Sequence, residues 1–392
     1  MGPPVGTGAN VDENFSIPQY VEWQITGKCN LNCIHCASAW RHPQKDLSTA
    51  DATALVHELL DSNIKSITLS GGEPLLRDDW ELLVSIFKEN GVSVQIMSNG
   101  QCLGETEARK MQCLGVNFVW LSLDGTEPAH NTIRQHPRAF ENVMNAAAQL
   151  ERMGVPFGFM TTLLAVNYDQ IPELSEIVQG TSSTLWQIWL GNKTNSTPIW
   201  LNTHKIREVL QVLPQLRSHT PQLIIGDNIG HSNLLETLRV PAFVDYTPCS
   251  RFTGCYGART IMGITNDGAI KGCLSMPESQ SLLSTVRNAP LSERYRQAAV
   301  HHRKTIEMIQ QKCRGCARYR ECNGGCPAFA VANASENERR FCYIPAQPPA
   351  IRSAAISASF MTFCALSSTN CHPAPTQQPI LSQEDIPEPE GK

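Results

Sequence analysis

Three cysteines on one short loop, Cys29, Cys33 and Cys36 in a C-x3-C-x2-C spacing, are the first residues whose type and spacing point to chemistry. Three thiolates so close in sequence suit a 4Fe-4S cluster that leaves one iron without a protein ligand and open to a substrate. Zinc is the alternative, with a distant residue or a water completing its tetrahedron. A second constellation is denser, with Cys249, Cys255, Cys273, Cys313, Cys316, Cys322, Cys326 and Cys342 in the C-terminal half. Eight thiolates meet the need of two fully ligated 4Fe-4S clusters. They also suit a pair of structural zinc sites, since C-x2-C pairs occur in zinc knuckles. Four cysteines remain: Cys102, Cys113, Cys364 and Cys371. Cys113 lies on an apolar helical face and reads as a small buried hydrophobe.

Composition limits what these thiols can serve. The chain of 392 residues carries 15 cysteines, a formal charge of −4 and 41% apolar residues. That apolar content supports a large core, and the absence of a basic run argues against a nucleic-acid partner. No window is apolar for the ~18 residues of a membrane span. The nearest, Ala354 to Leu366, is short and carries Ser and Thr. Met1 to Ser16 shows no secretory pattern, so a cytoplasmic location is expected. A reducing compartment directs the cysteines toward metal ligation or redox chemistry and away from disulfides.

The elements that must position the first loop are repeated βα units. Strand patterns at Tyr20–Thr26, Ser66–Ser70, Ser93–Met97, Asn117–Leu123, Phe157–Leu163 and Leu185–Leu190 alternate with helical patterns, the first capped by Ser48. Six such units predict an α/β fold, a partial (β/α)6 TIM-type barrel left open, with a small C-terminal cysteine-rich domain. The expected boundaries are an N-terminal extension at 1–19, the barrel at 20–200, a connector at 201–248 with a helix near Lys205–Leu216, the cysteine-rich domain at 249–345 and a Pro-rich disordered tail at 346–392. Several polar residues fall where strands leave the C-terminal rim: Gly71-Gly72-Glu73-Pro74, Ser98 and Asn99, Ser122 and Asp124, and Arg134 beyond. Taken singly, each reads first as a turn residue or a helix cap; their shared place on the rim is what favours a site. Trp186, Trp189 and Trp200 read as aromatic core.

With His35 before its last cysteine, the loop resembles the signature of the radical S-adenosylmethionine (SAM) enzymes, and Gly71-Gly72-Glu73-Pro74 resembles that family's GGEP turn. The resemblance implies that the open iron on Cys29, Cys33 and Cys36 is chelated by SAM. It also implies that His35, Gly71, Gly72, Glu73, Pro74, Ser98, Asn99, Ser122, Asp124 and Arg134 form the SAM site. The glycines would let backbone acceptors approach the SAM ammonium, and Arg134 would suit its carboxylate. Asn131 stands where Asp is common, with no expected effect on SAM binding. The later cysteines resemble a SPASM domain. That likeness assigns Cys249, Cys255, Cys273 and Cys326 to one auxiliary 4Fe-4S cluster and Cys313, Cys316, Cys322 and Cys342 to the other, three clusters in all with the loop.

The resemblance, which spans about Tyr20 to Cys342, implies reductive cleavage of SAM and hydrogen abstraction from a peptide or protein, as in maturation of ribosomally made peptides. Crosslinking, epimerisation and oxidation stay open as outcomes. The implied partners are a precursor peptide and a low-potential donor such as flavodoxin or ferredoxin. Some twenty residues before the first strand are too few for the winged-helix leader-binding module of some maturases, so leader recognition, if it occurs, needs the barrel surface or a separate leader-binding protein. Cys102, following Asn99-Gly100 on the rim, is a candidate hydrogen-atom donor, as in peptide epimerases of this kind. Sulfatase maturation ranks lower, because Leu274 stands where that branch has an Asp after the equivalent of Cys273. Haem-pathway or other small-molecule biosynthesis is the alternative enzyme reading, and a zinc-stapled binding protein the alternative of another class.

Overall fold

A computed structural model describes residues 16–36, 45–193, 198–230, 235–239, 241, 254–276, 289–311, 313, 315, 316 and 318–333. Cys249, Cys342, Cys364, Cys371 and the tail at 346–392 lie outside these residues.

All six expected βα units are present. Strands β1 (Tyr20–Thr26), β2 (Ser66–Gly71), β3 (Ser93–Ser98), β4 (Phe118–Ser122), β5 (Phe157–Leu163) and β6 (Leu185–Leu190) run parallel in chain order. Helices α1 (Thr49–Asp61), α2 (Trp80–Glu89), α3 (Glu105–Cys113), α4 (Glu127–Arg134), α5 (Ala139–Arg152) and α6 (Ile171–Gln179) fill the connections. Ser48 caps α1 as expected, its side chain accepting from the Asp51 amide. One apolar stripe per helix is buried, such as Leu55, Val56 and Leu59 on α1 and Leu83, Val84 and Phe87 on α2. Cys113 departs from expectation. It is exposed at the last position of α3, where Ala108 and Met111 make the buried stripe.

The sheet continues past the sixth strand. Helix α7 (Thr203–Leu216) leads to a short parallel strand, β7 (Leu223–Ile225), beside β6. At the other edge β8 (Ile261–Ile264) pairs parallel to β1, and β9 (Ile270–Lys271) turns back antiparallel. The order β7-β6-β5-β4-β3-β2-β1-β8-β9 is an open, nine-stranded partial barrel. Long helix α8 (Leu291–Gln311) follows, then α9 (Tyr319–Cys322) and α10 (Pro327–Asn333). Arg294 of α8, fully buried, pairs with Glu58 of α1. The segment holding the later cysteines is thus built onto the barrel through both a strand and a helix. Among the described residues no helix is long and apolar enough to cross a membrane.

Strand alternation separates two faces. Val21, Trp23 and Ile25, with Ile67 and Leu69, join the helix-covered core, whereas Phe118, Trp120, Leu185 and Ile224 form a separate cluster with Met97 and Met160 on the concave face. Higher on that face Glu22, Gln24, Ser70, Ser122, Thr162 and Trp189 are only half-buried, so the barrel interior is a hollow. Trp186 is core, as expected, but Trp189 points the other way. Trp189 Nε1 and Gln187 Oε1 are buried without a hydrogen-bond partner among the described residues, polar groups that a bound ligand or solvent would satisfy.

Ile264 sits fully buried on β8, in register with Trp23. Ile264→Ala should cost about 2–5 kcal/mol and lower the midpoint of a single unfolding transition followed by both far-UV circular dichroism and tryptophan fluorescence. Separate transitions by the two probes would show that β8 is not part of the barrel core.

Candidate metal and cofactor site

Every strand from β1 to β4 delivers a polar group to one rim. The cysteine loop leaves β1 directly, and main-chain bonds hold it. A bulge at Ile25 breaks the register with β2 and exposes the Ile25 carbonyl. Arg77, buried, takes that carbonyl at 2.8 Å and the Leu47 carbonyl at 3.0 Å. Asp46 accepts from Thr26 Oγ1 at 2.6 Å, the Gly27 amide at 2.8 Å and Asn266 Nδ2 at 2.8 Å. These bonds hold its carboxyl below the usual range although burial pushes it up. At the far end the Ile34 amide donates to the Ile133 carbonyl at 3.0 Å.

The Gly-Gly-Glu-Pro turn closes onto the same loop. The Gly72 and Glu73 amides donate to the Thr26 and Lys28 carbonyls, each at 2.8 Å. A methyl on Gly72 would stand 2.0 Å from the Lys28 carbonyl oxygen, and one on Gly71, where φ is +149°, 2.3 Å from that of Thr26. The partner these glycines admit is therefore the cysteine loop itself. Glu73 is fully buried, and its carboxylate accepts from Ser98 Oγ at 2.9 Å, the Asn99 amide at 2.8 Å and the Leu75 amide at 3.3 Å. Burial pushes it up to about 7 despite these donors. Glu73 and Ser98 bond to each other, tying β2 to β3. Pro74, buried, opens a 3-10 turn to Leu76.

Two nitrogen donors reach the sulfurs. Asn99 Nδ2 lies 3.8 Å from Cys29 Sγ and 2.8 Å from Asn30 Oδ1, and Arg134 Nη1 lies 3.7 Å from Cys33 Sγ. Burial raises both thiols, Arg134 works against it, and a metal would have to displace their protons. Asp124, fully buried at the end of β4, orders the cation: Arg134 Nη2 lies 2.6 Å from its Oδ2, His35 Nε2 lies 3.5 Å from the same oxygen, and the Thr162 amide donates to Oδ1 at 2.8 Å. Burial pushes the Asp124 carboxyl up, but Arg134 and the histidines hold it below the usual range. Burial pushes His35 down to about 4. His35 Nδ1 and Arg134 Nε are buried without a hydrogen-bond partner among the described residues. Ser122 is half-buried on the concave face below. Asn131, where the sequence departs from pattern, spans the α4–α5 turn through the Pro137 carbonyl and the Phe140 amide. Cys102 accepts from Asn30 Nδ2 at 3.1 Å, placing it beside the loop.

Among the described residues no three His, Cys, Asp or Glu side chains crowd closely enough to share a single ion. A four-iron cluster takes one thiolate per iron, so its ligands stand wider apart than those of one ion. Three thiols, two of them approached by N–H donors, bordered by unpaired polar atoms fit such a cluster with a nucleotide-sized ligand beside it.

Residues 23–178 match the Radical SAM superfamily. The chain carries a radical SAM domain. It is similar to the AdoMet-dependent heme synthase of Nitratidesulfovibrio vulgaris, 27% identical over 325 residues covering 79% of this chain and 87% of that protein. It is also similar to the mycofactocin maturase MftC of Mycolicibacterium smegmatis, 23% identical over 325 residues, 81% and 80% covered. In fold it is similar to Streptococcus suis SuiB bound to its precursor peptide SuiA, with a TM-score of 0.67, 15% identity, and 85% of this chain and 77% of that one covered. That domain sits on an open parallel barrel, and its family implies SAM and a 4Fe-4S cluster.

Residues outside the expected set also face the hollow. Glu22 on β1 is pushed up to about 7 by burial and by Asp227, which follows β7 and is itself pushed up to about 7 by burial. Cys255, Cys273 and Cys326 come together nearby. Burial raises Cys255 well above its usual value, with Cys273 and Cys326 adding to it, and pushes Cys326 up to about 12. Glu22 further raises Cys273, after burial. Strand alternation alone marks Glu22 as inward-facing; nothing local in the sequence marks Asp227.

Two tests follow. Gly72→Ala forces backbone against backbone and should destabilise the apo-protein by about 1–3 kcal/mol while raising the rate at which Cys29 and Cys33 react with a maleimide. Unchanged thiol reactivity would show that the approach does not hold the loop. His130, buried, accepts from the Asp124 amide through Nδ1 at 3.0 Å, and burial pushes it down to about 3. Its folded pKa lies below the unfolded one, so unfolding takes up a proton below about pH 6.5 and stability falls as pH drops from there toward 3. Between pH 7 and 5 this group should remove about 2 kcal/mol. His130→Asn, measured by urea denaturation at both values, should lose that much less than the wild type.

Proposed function

We propose that this radical SAM enzyme modifies a peptide or protein. Cys29, Cys33 and Cys36 hold the SAM-binding cluster. His35, Ser98, Asn99, Ser122, Asp124 and Arg134 would hold SAM at the rim, and the Gly71-Gly72-Glu73-Pro74 turn would support the loop from behind. The convergence of the cysteine loop, Asn99 and the Arg134–Asp124 pair on one rim carries this reading. When bound, the reduced cluster and SAM supply a 5'-deoxyadenosyl radical. The chain's own residues hold and orient. Asp124 holds the Arg134 guanidinium with Nε free to meet a carboxylate, and the bonds to Asp46 and Arg77 fix the loop.

In the same reading 249–345 is a SPASM domain with two auxiliary 4Fe-4S clusters. One is on Cys249, Cys255, Cys273 and Cys326, and the other is on Cys313, Cys316, Cys322 and Cys342. When bound, these clusters would supply an acceptor for an electron from the substrate, and a flavodoxin- or ferredoxin-type donor in a reducing cytoplasm would be the partner of the first cluster. Cys102, against Asn30 of the loop, is the candidate hydrogen-atom donor to a substrate radical.

Haem-pathway biosynthesis is the second reading, favoured by the relatives named heme synthases. The relative named mycofactocin maturase and the fold shared with SuiB, whose structure holds its precursor peptide, support the peptide.

Anaerobic reconstitution should give about twelve irons per chain and SAM cleavage on reduction. With Cys29, Cys33 and Cys36 all changed to Ala, about eight irons should remain and cleavage should vanish. Zinc without iron, or retained cleavage, would refute the site. A precursor peptide encoded beside the gene should change mass or stereochemistry on incubation. Turnover of a tetrapyrrole alone would refute the peptide.

A further inference from the structure

The second cysteine set contains a side chain that the cysteine spacing did not point to. His302 lies on the buried face of α8 at 3% exposure, with Nε2 3.5 Å from Cys255 Sγ. Room for its ring is built into the chain. A methyl on Gly257, two residues after Cys255, would stand 2.6 Å from His302 Nε2. One on Gly272, directly before Cys273, would stand 2.5 Å from the imidazole. Two glycines, one beside each cysteine, thus make a slot of imidazole width between two thiols.

A buried imidazole costs stability unless its polar atoms are bonded. The Cys255 sulfur is the acceptor that Nε2 faces. A metal-bound thiolate has lone pairs and no proton, so the ring nitrogen must supply the hydrogen. Cys255 also lines a cavity of about 270 Å³ together with Gly254, Gly257, Arg259, Arg303 and Glu307.

We propose that His302 donates a hydrogen bond from Nε2 to the Cys255 thiolate and so raises the reduction potential of the cluster held there, making that cluster the acceptor of the electron that leaves the substrate. The inference rests on the reading that Cys249, Cys255, Cys273 and Cys326 hold a 4Fe-4S cluster. The step is a one-electron reduction of that cluster by the substrate radical. The added electron increases negative charge on the sulfurs, and a donor aimed at one of them favours the reduced form. Lys271 acts in the same direction. Its buried ammonium donates to the Met276 carbonyl at 2.7 Å and lowers Cys273. Glu22 and Asp227 act against it from the hollow. His302 is a positioning and tuning residue, with no contact to the reacting atoms.

The experiment is an EPR-monitored redox titration of the reconstituted full chain, comparing wild type with His302→Phe and His302→Gln. Phe fills the slot without a donor, and Gln restores one. The auxiliary midpoint in His302→Phe should fall by about tenfold in the one-electron equilibrium, or ~59 mV. Iron content should stay unchanged, the loop cluster serves as internal reference, and His302→Gln should recover part of the shift. An unshifted midpoint with full iron would overturn the proposal. Loss of about four irons in both variants would make His302 a ligand or a structural support, and overturn it too. Wild-type protein binding only the loop cluster's iron would instead sink the reading beneath it, an outcome separate from the other two.

Discussion

One backbone approach underlies the site: the Gly72 turn lies against the Lys28 carbonyl with no room for a single methyl between them. Hydrogen bonds from Gly72 and Glu73 to Thr26 and Lys28 make that approach favourable. The loop that bears three thiols therefore needs no secondary structure of its own. It borrows order from the end of β2, and through the Ile34 amide from α4. Groups that depend on the loop, Asn99 over Cys29 and Arg134 over Cys33, approach sulfurs already held in place by main chain. Such preorganisation matters because a reactive intermediate tolerates little displacement of the atoms around it.

The buried charges divide by how they are satisfied. Asp124 has a guanidinium, an imidazole and an amide, and is held ionised. Glu73 has hydrogen bonds without a close cation, and burial wins. Its task is mechanical, joining β2 to β3 beneath the rim. Two carboxyl groups in similar burial are thus shifted in opposite directions, because Arg134 is in contact with Asp124 and acts on Glu73 only weakly. Such a division cannot be read from either residue type alone.

How much was legible follows from the range of the forces involved. Strand alternation and helical stripes are local, so β1, β5 and β6 fall where the pattern placed them and Ser48 caps α1 as expected. The cysteine loop and the rim residues were legible because strand ends bring them to a shared edge. Short β7, and β8 beside β1, were not. Their placement depends on pairing with strands far away in sequence, and a three-residue run carries too little period to announce itself. Cys113 was misjudged because its helix buries Ala108 and Met111 instead. Helix α4 was missed because Glu127–Arg134 carries few apolar residues and buries His130 and Arg134 alongside Ile133. His302 and Asp227 gain their meaning only from neighbours in the folded chain.

Strand β1 has a double allegiance. Its final residue runs into the first cysteine loop, its Glu22 senses Cys273, and its other edge is taken by β8, which leads through β9 to Cys273. At ~3.3 Å per residue, Glu22 to Thr26 is a ruler of about 13 Å, paired with β2 on one edge and with β8 on the other. Any partner or substrate that enters the hollow meets two sulfur-rich neighbourhoods whose separation was set when a single strand was paired on both sides. Insertions elsewhere in the chain would leave that gauge untouched.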